Sequence, residues 1–351
     1  MLSTIKNTAT DPEYHEILRN LSEGSVNRHF DPYVDIDWES PEFAVHSDDP
    51  RWIMPDEDPL GRHPWYKAQP IEKQIAIGMW RQAGIAKVGL DFEQLLIRGL
   101  MQYLVSVPNG DPEFRYITHE AAEECNHTMM FQEMINRIGY RDVVGMGTID
   151  RKLTMAIWPA VKYFPELFFT MILGGEEPID HLQKSLLRAG VDLHPMVKRV
   201  MQIHVAEEAR HISFAHEYLR RNVPGMNPIT KSVLSVAFPI AMRVMLDMIM
   251  TPPKEFVEKF DIPAEVMREA YWSSEESQTT MRNIFGDVRA LATNSGLMNP
   301  VAKLTWRLLG IDGPLPQRTG SQSRLSDRVS TTARRTTVPA GRRRSTRGPR
   351  R

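Results

Sequence analysis

Two Glu-x-x-His groups sit inside long helical segments, and each follows a glutamate by the length of one helical hairpin. Glu93 lies 31 residues before Glu124 in Glu124-Cys-Asn-His127, and Glu176 lies 32 before Glu208 in Glu208-Ala-Arg-His211. The order helix with glutamate, turn, helix with Glu-x-x-His therefore occurs twice. At about 100° per residue, His204, Glu208 and His211 share one helix stripe, as do Glu124 and His127. With 25 Glu and 11 His in 351 residues, chance supplies about 0.8 such pairs, so the weight rests on the placement. Glu93 is followed by Leu95, Leu96 and Ile97, and Glu176 follows the apolar run Phe168 to Leu173. A carboxylate buried in such surroundings costs several kcal/mol unless it meets a cation or a metal.

Helical spacing predicts segments at about 70–105, 112–138, 159–189, 195–222, 229–250 and 263–294, separated by VPNGDP, the stretch from Gly139 to Gly147, LRAGVDLHP, NVPGMNP and MTPPKEF. No segment alternates with period two, so the chain reads as all-α. Four consecutive helices longer than 20 residues, grouped as two pairs, imply an antiparallel four-helix bundle. Residues 1–68 are rich in Pro and Asp and read as an extended arm wrapping the core. Residues 69–312 read as the helical metal-binding domain.

Composition is that of a soluble globular chain, with 42% apolar and 25% charged residues. The net charge of −1 hides 11 Arg and one acid between Arg318 and Arg351, which leaves about −11 on the rest. An acidic body argues against nucleic acid as partner. The tail, 313–351, is expected to be disordered. Cys125 is the only cysteine, which excludes an internal disulfide and a Cys-based metal site and fits a cytoplasmic setting. No secretory leader is visible. The most apolar window, Ile229 to Met250, contains Lys231, Arg243, Asp247 and Pro239, and reads as a buried amphipathic helix with no membrane role.

Mixed Glu and His donors without thiolate suit iron or manganese. The run HVAEEARHISFAHEYL, with a histidine four residues before its Glu-x-x-His, resembles the p-aminobenzoate N-oxygenase family of ferritin-like diiron proteins. The resemblance spans roughly Ile71 to Tyr218 and includes GEEPIDHL, where the matching glutamate is Glu176. It implies metal ligands Glu93, Glu124, His127, Glu176, His204, Glu208 and His211, with His204 as the third histidine that sets this family apart. It further implies a non-haem diiron monooxygenase with two iron ions, manganese being an alternative, and with the four glutamates bridging or capping the metals during catalysis. Dioxygen activation through a peroxo-diferric species, a small arylamine or related amine as substrate, an external electron donor and a homodimer follow from the same likeness. Hydroxylation or desaturation of a carrier-tethered acyl chain is the alternative enzyme reading, and iron storage the non-enzymatic one.

Other residues carry weaker signals. Glu120, one turn before Glu124, could orient a ligand histidine or be a surface acid, and Asp180 and His181 could play similar parts. Cys125 reads as an inert packed thiol. Trp80, Phe92, Tyr103, Phe131, Phe168, Phe169 and Phe214 read as core, some of them lining a dry pocket. Arg98, Arg188 and Arg210 read as surface ion-pair partners or anchors for an acidic substrate.

Overall fold

A computed structural model describes residues 11–146, 159 and 161–314. Four long helices make the central bundle: α3 (Ile71–Leu104), α4 (Pro112–Ile138), α5 (Pro165–Ala189) and α6 (Pro195–Asn222). Their ends follow local chemistry. Asp111 caps α4 by accepting from the Glu113 N–H, Pro112 occupies the first turn, and Gly139 closes the helix at φ 91°. The helix expected over 159–189 is interrupted at Phe164: residues 159 and 161–163 are helical, and α5 starts at Pro165. Phe164, pushed off the helical region by the proline after it, sits at φ −146°, ψ 61°.

Helices α3 and α4 pack as one pair and α5 and α6 as the other, and α4 meets α6 and α3 meets α5 across the bundle. The α3–α5 approach is unusually close because glycines face aromatic rings in both directions. A Cβ on Gly175 of α5 would lie 2.1 Å from Cζ of Phe92 on α3, and one on Gly99 of α3 would lie 2.2 Å from Cε2 of Phe168 on α5. The first contact joins the residues beside Glu93 and Glu176. The ring-and-glycine pair therefore sets how closely those two carboxylates approach.

The bundle is covered on several sides. Helix α7 (Pro228–Met250) packs on α5, and α12 (Pro300–Leu308) packs on α7. The segment Pro228–Phe260 is long and apolar enough to cross a membrane by length and composition, and half of its most apolar window is buried within the fold.

Two expectations are corrected. The N-terminal arm is not wholly extended: α1 (Pro12–Asn27) is capped by Asp11 and lies against α4 and α6. Its buried stripe is Tyr14, Leu18, Ser22 and Ser25, so small polar residues hide half of the period. The single helix expected over 263–294 is broken into α9 (Ala264–Arg268), a π-turn over Glu269–Ser273, α10 (Glu275–Ile284) and α11 (Gly286–Asn294). Ser274 causes the restart, accepting from the Ser277 N–H ahead of the acidic turn Glu275-Glu276. Two short helices, α2 (Pro64–Lys67) and α8 (Lys254–Phe260), complete the described set. The arginine-rich tail from residue 315 and the stretch 147–158 lie outside the described residues.

Candidate metal centre

The structure brings all seven sequence-predicted donors together at the middle of the bundle. Glu93 comes from α3, Glu124 and His127 from α4, Glu176 from α5, and His204, Glu208 and His211 from α6. All are buried. They fall into two groups whose donor atoms lie within 4.8 Å of one another: Glu93, His127, His204 and Glu208, and then Glu124, Glu176, Glu208 and His211.

Glu208 belongs to both groups, and Glu124 also reaches a histidine of each. Glu124 lies 2.9 Å from His127 Nδ1 through Oε2 and 2.6 Å from His211 Nδ1 through Oε1. Glu208 turns Oε1 to His127 and His204, at 3.3 and 3.4 Å, and Oε2 to His211 at 3.4 Å. Glu93 belongs to the first group alone and Glu176 to the second alone.

The donors fit metal ions better than they fit each other. Both oxygens of Glu176 and of Glu208, Glu93 Oε2, Glu124 Oε1, His204 Nε2 and His211 Nδ1 are buried without a formed hydrogen bond. Such groups are costly when left unpaired. Four carboxylates with neutral imidazoles carry the charge that two divalent cations would cancel. Without metal, burial and the neighbouring carboxylates push Glu93 and Glu176 well above the usual carboxylate range. Burial likewise opposes ionisation of Glu124, yet His211 and His127 hold it at about 2.

Each histidine is aimed by a partner behind it. His127 Nε2 meets Glu207 Oε2 at 2.9 Å, and His211 Nε2 meets Glu123 Oε2 at 2.8 Å. The pairing is crossed: the glutamate preceding each Glu-x-x-His orients the histidine of the opposite helix. A carboxylate acceptor requires Nε2–H, which leaves the inward Nδ1 lone pair free for a metal. His204 uses the other nitrogen, with Nδ1 3.0 Å from Gln183 Oε1 and Nε2 facing Glu93 and Glu208. Burial drives the His204 pKa down to about 4, so it is neutral. Arg210 ties the two outer carboxylates together, donating to Glu123 at 2.7 Å and lying 3.5 Å from Glu207. The backbone N–H of Phe30, from the N-terminal arm, also donates to Glu207.

Several weaker expectations resolve here. Glu120 is buried but accepts from no ligand histidine; both its oxygens lack a formed hydrogen bond, and burial pushes it up to about 8. Glu123 and Glu207 hold the role proposed for it. The doubled glutamate in Glu123-Glu124 and Glu207-Glu208 was a readable signal, but their crossing between helices was not. Asp180 pairs with Lys184, and His181 is exposed. Arg210 is buried in the crossed pairs, whereas Arg98 and Arg188 are exposed. Cys125 is exposed, which corrects its reading as a packed thiol. Phe131 lies 5.1 Å from the His204 ring, in space that Gly89 leaves open.

Comparison with known proteins agrees with this geometry. Residues 11–296 match the family described as P-aminobenzoate N-oxygenase AurF. The chain belongs to the p-aminobenzoate N-oxygenase family. The match runs through α1, so part of the arm falls within the family's span. Close relatives include uncharacterized proteins of Mycobacterium bovis and Mycobacterium tuberculosis, each 58% identical over 305 residues, which cover 87% of this chain and 89% of the relative. A second Mycobacterium tuberculosis protein, also uncharacterized, is 57% identical over the same length. Family membership makes the chain an all-α, ferritin-like protein and assigns it to the diiron oxygenases. The buried Glu and His groups fit iron.

Proposed function

We propose that this chain is a diiron monooxygenase that uses dioxygen and an external electron donor to N-oxygenate an arylamine or a related small amine. The observation that carries the reading is the set of seven converging donors, including the third histidine His204, with buried atoms that form no hydrogen bond. Glu93, Glu124, His127, Glu176, His204, Glu208 and His211 would hold two iron ions, and iron bound there supplies the capacity to activate dioxygen. The protein's own groups do the rest. Glu124 and Glu208, each facing histidines of both groups, would be shared between the two ions, and Glu93 and Glu176 would each serve one. Glu207, Glu123 and Gln183 hold the three imidazoles in the tautomers that point a lone pair inward. Glu120, protonated at neutral pH, keeps a proton on its carboxyl one helical turn from Glu124. Phe131, Phe92 and Phe168 exclude water from the same region. The working assembly is proposed to be a homodimer.

The test is anaerobic titration with ferrous iron, followed by dioxygen and a panel of arylamines. Binding of two irons per chain and formation of hydroxylamine, nitroso or nitro products are expected. His204→Ala should keep the helical dichroism while losing product formation. A chain that binds no iron, or that binds it and oxidises no amine, overturns the reading.

A further inference from the structure

One buried stripe of α4 runs away from the metal centre to the start of the helix. Glu113, Tyr116, Glu120, Glu124 and His127 lie at offsets of three, seven, eleven and fourteen residues, within about 60° of one line. All five are buried. Glu113 is about 16 Å along the axis from Glu124 and so cannot reach the metals. Its two oxygens are nevertheless both taken by phenols: Tyr103 donates to Oε1 at 2.5 Å, and Tyr14 of α1 donates to Oε2 at 2.8 Å. A buried carboxylate held only by two phenols is an expensive way to fasten a helix, because a carboxylate without a cation keeps most of its desolvation cost.

Aromatic rings connect that carboxylate to the centre without a gap. Tyr116 stands one helical turn before Glu120 on the same buried stripe, with its Oη buried and without a formed hydrogen bond. Its ring is 4.8 Å from Phe214, which is 5.5 Å from Phe169. Phe169 lies 4.0 Å from Tyr218 and 5.3 Å from Tyr103, and Tyr103 and Tyr218 meet edge to face at 5.7 Å. Beyond Glu113, the Tyr14 ring is covered by the Arg221 guanidinium at 5.2 Å, and Arg221 pairs with the partly exposed Asp11. Tyrosine is readily oxidised by one electron when a base stands ready for its proton, and Glu113 stands against two of them.

We propose that the Tyr116–Phe214–Phe169–Tyr218–Tyr103 array, ending at Glu113 and Tyr14, is an exit path for oxidising equivalents from the metal centre. This inference rests on the oxygenase reading above. When no amine occupies the site, Tyr103 gives one electron through the rings to the dioxygen-oxidised centre. Its Oη–H bond breaks, and the proton moves to Glu113 Oε1. The products are a neutral Tyr103 phenoxyl radical, a protonated Glu113 and a centre reduced by one electron. Tyr14 can pass its own hydrogen atom's worth of charge to the same pair, its electron to Tyr103 and its proton to Glu113 Oε2, while Glu113 returns a proton to Tyr103. Tyr14 is itself buried, so a one-electron reductant of the ascorbate class delivers its electron from outside the fold past Arg221 and Asp11, and Glu113 Oε2 returns the proton to Tyr14, which leaves both tyrosines and Glu113 as they began. The ligand glutamates and histidines are spared oxidation.

Two measurements on the full-length chain test this. In the first, iron-loaded protein without amine is mixed with dioxygen, freeze-quenched and examined by electron paramagnetic resonance, with iron content measured on the same sample. A tyrosyl signal that narrows with ring-adjacent deuterated tyrosine is expected. It should disappear in the Tyr14→Phe, Tyr103→Phe double variant and fall in Glu113→Gln, while iron content and dichroism stay unchanged. In the second, metal-free protein carries a ruthenium photo-oxidant on the exposed Cys125, and flash-quench oxidation should place the radical on the same two tyrosines. A chain that binds iron and consumes dioxygen without a tyrosyl radical overturns the proposal, as does a radical that persists in the double variant. Failure to bind iron overturns the oxygenase reading alone, and the photochemical arm then decides whether the ring array conducts.

Discussion

Raising the pH of the metal-free protein from 6.5 to 9 should destabilise it, and two bound divalent ions should abolish that slope. Glu93, Glu176 and Glu120 are carboxyls whose folded pKa values are raised, chiefly by burial. His127 and His211 are raised too, because Glu124 and its neighbours overcome the burial that opposes it. A group with a raised folded pKa binds its proton more tightly in the native state. The stability it contributes is complete below the unfolded pKa and is lost as pH climbs through the folded one. All five groups therefore act in the same direction above neutrality. Glu124, held down to about 2, has finished titrating in both states by pH 6.5 and adds no slope, whereas His204, held down to about 4, is still about half protonated when unfolded at pH 6.5 and opposes the slope by only about 0.4 kcal/mol. Glu120 alone, moved from an ordinary carboxyl value to about 8, accounts for about 2 kcal/mol across this window. That corresponds to a fall in Tm on the order of 3 °C for a chain of this size. Scanning calorimetry in chelator at several pH values measures it, and Glu120→Gln should remove about 2 kcal/mol of the slope. Zinc or cobalt(II), which need no dioxygen chemistry, should raise Tm more at pH 9 than at 6.5, because the donors must lose protons to bind metal. A metal-free Tm that is flat or rises over this range would refute the charge reading of the centre.

Three further outcomes are expected. Glu207→Gln or Glu123→Gln should weaken binding of the first metal by about 10–100-fold with little change in dichroism, because the histidine facing each loses its orienting acceptor; titration with cobalt(II) reads this directly. Gly175→Ala should cost about 1–3 kcal/mol of stability and disturb metal binding, since the added methyl meets the Phe92 ring, and Phe92→Leu in the same chain should recover most of the loss in a double-mutant cycle. Ser274→Ala should cost about 1 kcal/mol in thermal unfolding through loss of the α10 cap, leaving metal stoichiometry at the wild-type value.

How much could be read without coordinates depended on whether a signal was local. The four bundle helices and the stripe that aligns His204, Glu208 and His211 follow from periodicity and from the fixed rotation per residue of an α-helix. Glu93 and Glu176 were legible because a charge inside an apolar run has few inexpensive explanations. The family likeness added His204 and the choice of Glu176 over Glu177. The structure brings that whole set into one place, and Glu177 instead pairs with His216.

Other features arise only when helices distant in sequence meet. Which oxygen of Glu124 and Glu208 faces which histidine, the crossing of Glu123 to His211 and of Glu207 to His127, and the single Arg210 behind both all depend on how α4 and α6 face each other. Helix α1 escaped notice for a related reason. Its buried face is half serine, so only its docking against α4 and α6 shows the stripe to be a packing surface. Sequence by itself determined which residues could be donors, since donor chemistry and helical phase are properties of the local chain. Tertiary structure decided which donors converge and what stands behind each one, because those are distances between helices, and no local propensity encodes a distance.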